Sequence, residues 1–224
     1  MNTQAITLSG QPLVLLPGRA VLHPGTRTLF IADLHLGKSA AFRARGLPVP
    51  HGTTADNLAR LASLAAEHAA TRLVFLGDLL HSRHAQAAAQ VAPVHAWREA
   101  HGSLECVLVR GNHDSHAGDP AASLRFEVVD EPWAVPGADG LVACHHPQRV
   151  QGATVLAGHW HPAITLRGPA RDHQRVPCFC QVDGLLVLPS FGAFTGSSPH
   201  EPPAGSTCWP VGGGRVWPGV RVGG

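Results

Sequence analysis

The chain has 224 residues, enough to bury a full core, with 44% hydrophobic residues and a formal charge of only +2. That charge is too small to announce a nucleic-acid binder, and no apolar run is long enough to cross a bilayer, so a membrane role is not expected. The five scattered cysteines form no disulfide framework, and Met1-Asn2-Thr3-Gln4-Ala5 lacks the basic start and apolar core of a secretory leader, so the expected location is the cytoplasm.

From the amino terminus, apolar runs at Ala5–Leu8, Leu13–Leu16, Ala20–Leu22 and Thr28–Ala32 read as paired strands, with turns at Pro17-Gly18 and Pro24-Gly25. The last run ends in Asp33-Leu34-His35. Residues two apart in an extended segment face the same side, so that carboxylate and imidazole can converge. Phe42 to Gly52, rich in Arg, Gly and Pro, reads as a loop. A helical pattern runs from Thr53 to about Ala70, with Leu58, Leu61, Ala65 and His68 on one face. Arg72–Leu76 is the next buried strand and closes in Gly77-Asp78.

Ala85–His101 reads as a second helix, entered or bent at Pro93. Leu104–Val109 is a buried strand cut off by Gly111, after which come Asn112, His113 and Asp114. Residues 115–139 are mixed, with a strand at Arg125–Val129. Gly140–Cys144 is a strand ending in His145-His146-Pro147, and Val155–Ala157 leads into Gly158-His159-Trp160-His161. Strands at Pro177–Val182 and Leu185–Leu188, a loop over Ser190–Pro203 and a terminal hairpin around Gly212–Gly214 complete the chain. Strands alternating with helices argue for an α/β fold with parallel strands. No repeat or linker divides residues 1–224, so they read as one domain whose Gly- and Pro-rich carboxyl end is loops and frayed ends. Cys178-Phe179-Cys180 fits a strand's alternating sides better than a metal site.

Sixteen histidines are the anomaly of the composition. Most are ordinary surface residues, but several sit with carboxylates at strand ends: Asp33/His35, Asp78, Asn112/His113/Asp114, His145 and His159/His161. Ligands in α/β sheets bind where strands end. So many donors exceed what one zinc ion takes, and suit two five- or six-coordinate ions sharing a carboxylate. Two divalent ions outweigh the charges of Asp33 and Asp78, so the site stays positive and favours an anionic substrate such as a phosphate ester.

Asp33-x-His35, Gly77-Asp78, Gly111-Asn112-His113-Asp114, His145 and Gly158-His159-x-His161 resemble, in order, the five-block signature of calcineurin-like metallophosphoesterases. The family often has His-Gly at the fourth block where this chain has His145-His146. His145 is preferred as the donor because it comes first after the strand. A narrower resemblance, to the ligase-associated DNA damage response endonucleases, rests on Gly37-Lys38, Arg45-Gly46-Leu47-Pro48-Val49-Pro50-His51-Gly52, Gly77 to Arg83 and Leu188-Pro189-Ser190-Phe191-Gly192. It implies a four-layer αββα sandwich of two mixed sheets with the metal site at strand carboxyl ends. It further implies a cytoplasmic enzyme of DNA repair that uses manganese, with zinc or iron as alternatives, beside a DNA ligase, a helicase and an exonuclease.

By the same resemblance Asp33, His35, Asp78 and His161 would hold one ion, and Asp78, Asn112, His145 and His159 the other. A water between them would lose its proton and attack phosphorus in line with the leaving oxygen. His113 would stabilise the phosphate and protonate the leaving group, and Asp114 would hold the His113 ring. Lys38, Arg43, Arg45, Arg83 and Arg110 lie near strand ends and could meet a DNA backbone, although solvated loop charges look the same in sequence. Phe191 and Phe194 could stack on bases or pin their loop to the core, and His81 could line the pocket. The reading is therefore an endonuclease for single-stranded or flapped DNA. A small-molecule or cyclic-nucleotide phosphoesterase is the alternative, and a silent scaffold of the same fold a third.

Overall fold

The computed structural model describes residues 2–49, 52–82, 85, 87–169 and 172–223. Two mixed β-sheets pack face to face, with helices beside the first. That sheet holds seven strands in sequence order: β1 (Gln4–Leu8), β2 (Gln11–Leu16), β3 (Ala20–His23), β4 (Thr28–Ile31), β5 (Arg72–Leu76), β6 (Glu105–Val109) and β7 (Glu127–Val129). β1 to β4 are antiparallel neighbours joined by short turns, whereas β4 to β7 run parallel. Parallel pairing needs crossovers. Helices lie in all three: α1 (Lys38–Ala44) and α2 (Thr53–Glu67) between β4 and β5, α3 (Ala88–Ala100) between β5 and β6, and the short α4 (Asn112–Ala117) between β6 and β7.

The second sheet is built from β8 (Trp133–Ala134), β9 (Leu141–Ala143), β10 (Thr154–Ala157), β12 (His173–Val182), β13 (Leu185–Val187), β14 (Thr207–Gly212) and β15 (Arg215–Val216), in the order β15-β14-β12-β13-β10-β9-β8. β11 (Ala163–Arg167) pairs with β12, and β16 (Val220–Arg221) with β14. β10 lies parallel to both β9 and β13, and its other neighbours in the sheet are joined by antiparallel pairs. Among the described residues, no α-helix follows Ala117.

Strand alternation divides the apolar residues between layers. Leu29, Ile31, Leu73, Phe75, Cys106 and Leu108 face the helices, where they meet Leu58, Leu61, Leu64 and Ala65 of α2 and Trp97 of α3. Their neighbours Phe30, Val74, Leu76, Val107 and Val109 face the second sheet and pack on Leu141, Ala143, Leu156, Phe179, Leu186 and Trp209. Cys178 and Cys180 are on the outer face of that sheet, with Phe179 inward, as a strand requires.

Four elements differ from the sequence reading. Lys38–Ala44 is helix, so the expected loop from Phe42 begins only after α1; Ser39, Ala40, Ala41 and Ala44 carry a helical run that the Arg/Gly/Pro content downstream obscured. Asn112–Ala117 forms a short helix, α4, directly after Gly111, in a stretch to which the sequence reading assigned no helix. β11 was missed because Ala163–Arg167 is only half apolar and its outer residues, Leu166 and Arg167, are exposed. The second helix starts at Ala88 rather than Ala85 and keeps Pro93 inside it.

Candidate metal centre

Every predicted metal donor arrives at one end of the two facing sheets. Asp33 and His35 follow β4, Asp78 follows β5, and Asn112 follows β6; His145 follows β9, and His159 and His161 follow β10. These five strands are mutually parallel within their sheets, so their carboxyl ends share one edge. The site is a seam between sheets, and each contributes donors.

Asp33 and His35 converge for a different reason from the expected strand pleat. Both have left-handed backbone, with φ of 55° and 48°, and Asp78, His159 and His161 share it at 50°, 67° and 47°. Non-glycine residues adopt this region rarely and at a cost, and clusters of them mark functional sites. The turns are locked to each other: the Asp33 N–H donates to Gly77 O at 3.3 Å and the His35 N–H to Asp78 O at 2.8 Å. Three glycines make the approach possible. A Cβ on Gly77 would lie 2.1 Å from His145 Nδ1, one on Gly111 2.4 Å from Asp78 Oδ1, and one on Gly158 2.9 Å from Asp33 Oδ2.

Around this seam, donor atoms of Asp33, His35 and His161 lie within 4.8 Å of one another, as do those of Asp33, Asp78 and His145. His161 Nε2 is 3.3 Å from Asp33 Oδ1. Asp78 looks both ways: its Oδ2 is 3.6 Å from His35 Nε2 and its Oδ1 is 3.6 Å from His145 Nε2. His145 Nε2 also lies 2.9 Å from Asn112 Oδ1 and 3.1 Å from His159 Nδ1. His145 is fully buried among these groups, whereas the His146 imidazole binds Glu131 Oε1 through Nδ1 at 2.6 Å. His146 still stands near, its ring centroid 4.6 Å from that of His159.

The electrostatics call for cations. Asp33 and Asp78 are buried side by side, and among the described residues Asp33 Oδ1 and His35 Nδ1 have no hydrogen-bond partner although both are enclosed. Buried charges without partners are costly unless they are paired or coordinate a metal. Burial raises the Asp78 carboxyl above its ordinary range, with the Asp33 charge adding to it and His145 and the His113 N–H opposing. Burial, together with Lys38 and the neighbouring imidazoles, pushes His35 down to about 2 and so keeps it neutral, the form that binds metal. Burial also lowers His159. The donors are imidazoles, carboxylates and an amide oxygen, with no thiolate in the groups they form, a set that suits first-row divalent ions.

His113 stands at the mouth, partly exposed. Its N–H donates to Asp78 Oδ1 at 2.9 Å, and its ring Nδ1 pairs with the His81 carbonyl at 3.0 Å. The ring stacks on His81, with centroids 5.3 Å apart. Asp114 does not hold this ring, contrary to the expectation. Its carboxylate accepts the backbone N–H groups of Leu80 at 3.0 Å, Gly111 at 3.1 Å and Leu79 at 3.4 Å. As the third residue of α4 it turns back toward the strand end, so it clamps the 78–80 turn and leaves His81 O to orient His113.

The proposed substrate contacts divide. His81 lines a cavity beside Arg45, at the exposed end of α1. Lys38 donates to Thr195 O at 2.9 Å and is half-buried, and Arg43 is half-buried on α1. Arg83 lies outside the described residues. Phe191 is corrected: it is fully buried beneath the Arg60 guanidinium, 3.9 Å from its ring centroid, and cannot reach a substrate. Its N–H donates to Ala32 O at 2.7 Å, so it pins the late loop against the metal turn. Arg110 pairs with Asp119 and Asp130. Sequence reasoning missed Glu131, whose Oε2 accepts the N–H groups of His145 at 2.6 Å and His146 at 2.8 Å. No motif marks it; only the fold brings it beside the fourth block.

With this geometry in hand, residues 26–146, more than half of the chain, match the calcineurin-like phosphoesterase family, and the chain belongs to it. A solved nuclease from Pseudomonas putida, MPE, is 44% identical over 97% of this chain and 100% of its own, with a TM-score of 0.83. That agrees with the narrower resemblance to the DNA damage response endonucleases. The phosphoesterase Yfce from E. coli is a far weaker likeness, 16% identical over 87% of this chain and 98% of its own, with a TM-score of 0.44. Comparison with curated proteins gives no match. The chain is thus a metallophosphoesterase by family, with a histidine–aspartate cluster able to bind metal, and no helix among its described residues is long and apolar enough to cross a membrane.

Proposed function

We propose that this protein is a two-metal phosphodiesterase that cuts DNA, single-stranded or flapped, with manganese as its favoured ion. One observation carries the metal count: the two oxygens of Asp78 face different donor sets, His35 on one side and His145 on the other, each at 3.6 Å. Asp33, His35 and His161 then complete one site, and Asn112, His145 and His159 the other. Bound divalent ions would supply Lewis acidity to the phosphoryl group and lower the pKa of a water between them. The protein's own groups fix the rest. Asp78 positions the His113 backbone, and the His81 carbonyl selects the ring tautomer with hydrogen on Nδ1, leaving Nε2 for the substrate. From there His113 stabilises phosphoryl charge and delivers a proton to the leaving oxygen.

The nuclease among the similar structures supports a nucleic acid as the substrate, and the choice of DNA comes from the sequence resemblance. A cytoplasmic place in DNA repair beside a ligase, a helicase and an exonuclease belongs to the same reading and rests on the resemblance alone. The test compares manganese-loaded protein on a single-stranded oligonucleotide, on bis(p-nitrophenyl) phosphate and on nucleotides. The expected result is cleavage of the oligonucleotide. Hydrolysis of the small esters alone would make the protein a small-molecule phosphoesterase. His113→Ala is expected to keep its metal and lose about 100-fold or more in turnover, the usual scale of a general acid; unchanged turnover would remove His113 from that role.

A further inference from the structure

The motif that carries two metal donors leaves its middle side chain unused. Trp160, between His159 and His161, is 38% exposed. It forms a wall of a cavity of about 370 Å³ that has His159 on its rim, with Pro162, Cys180 and the 198–203 segment as the other walls. Pockets of this size take small planar molecules.

The far wall is held firmly. The Ser198 N–H donates to the carbonyl of His161 at 2.9 Å, which ties the wall to the metal loop itself. Arg175 reaches from β12 to Ser198 O at 2.8 Å, to Ala163 O at 3.0 Å and to His200 O. Its guanidinium also pairs with Glu201 at 2.7 Å, so the one carboxylate in the lining is already neutralised. Among the described residues, the lining holds no Lys or Arg side chain to meet a phosphate. The cavity offers an indole, prolines and two imidazole rings, which suit an uncharged aromatic ring.

We propose that this cavity is a nucleobase subsite, in which Trp160 stacks on the base adjoining the phosphodiester held at the metal centre. The proposal rests on the nuclease reading and deepens it. It gives Trp160 the stacking role that the buried Phe191 cannot fill. Aromatic stacking tolerates any base, so the subsite favours single-stranded nucleic acid without reading its sequence.

The test measures kcat/KM of the manganese-loaded full chain on a thymidine homopolymer and on an equally long backbone of abasic tetrahydrofuran units, with metal content determined for each variant. Wild type is expected to prefer the thymidine polymer by about tenfold or more, the scale of one stacked base. Trp160→Ala should cut both polymers at the abasic rate, and Trp160→Phe should restore most of the preference. No preference in wild type would overturn the subsite. So would a Trp160→Ala protein that keeps its preference, whether its rates are unchanged or equally slowed through lost metal. Wild type that cuts neither polymer yet hydrolyses bis(p-nitrophenyl) phosphate would instead fail the nuclease reading, and the subsite with it.

Discussion

At the scale of single residues, the site is built by backbone as much as by donors. Asp33, His35, Asp78, His159 and His161 all sit at positive φ, and Gly77 sits at +75° with the His145 ring against its Cα. Gly77→Ala would combine an unfavourable backbone with a Cβ 2.1 Å from His145 Nδ1. The expected loss is on the order of 3 kcal/mol in denaturant unfolding, together with weaker metal retention, because His145 cannot move without leaving Asp78 and Asn112. A variant as stable and as metal-loaded as wild type would contradict that packing. That these side chains would converge was legible in sequence, since polar residues at the ends of apolar strands are poor core material. The role of Asp114 was not. A carboxylate's identity says nothing about which N–H groups a turn will present to it, and here they belong to Leu79, Leu80 and Gly111.

At the scale of elements, turns and caps that hold the strand ends decide the geometry. Glu131, ahead of β8, clasps the turn after β9 through the N–H groups of His145 and His146. Burial alone would raise its carboxyl, but the His146 side chain and those two N–H groups outweigh burial and hold it below its ordinary value. A depressed carboxyl stabilises the fold above its unfolded value, about 4.3, and loses that contribution as the pH falls through the lower folded value. Glu131→Gln should therefore be less stable than wild type at neutral pH, with the gap closing in acid, as measured by denaturant midpoints across pH. A gap that widens as the pH falls would reverse the sign and refute the assignment. Glu131 was invisible in sequence because it is 14 residues from His145 and carries no pattern. The β-strands of both sheets were mostly legible from their apolar runs. α1, α4 and β11 were not, because short amphipathic or polar segments lack the periodicity that separates helix, strand and loop.

At the scale of the molecule, the centre joins two sheets that otherwise meet through apolar packing. The first sheet gives Asp33, His35, Asp78 and Asn112, and the second gives His145, His159 and His161, so bound ions would tie the sheets together at one edge. Any ion that binds the folded chain alone stabilises it, by about 2.7 kcal/mol at a concentration 100 times its Kd. Removing metal with a chelator is accordingly expected to lower the Tm, and adding manganese back to restore it. An unchanged Tm would mean the donors hold no ion in the folded protein.

Whether Asp78 serves two ions at once is decided by counting metal. After manganese loading and removal of free ion, elemental analysis should give about two ions per wild-type chain, and Asp78→Asn should fall to one or fewer. One ion or none in wild type, or two retained in Asp78→Asn, would contradict a shared Asp78 carboxylate.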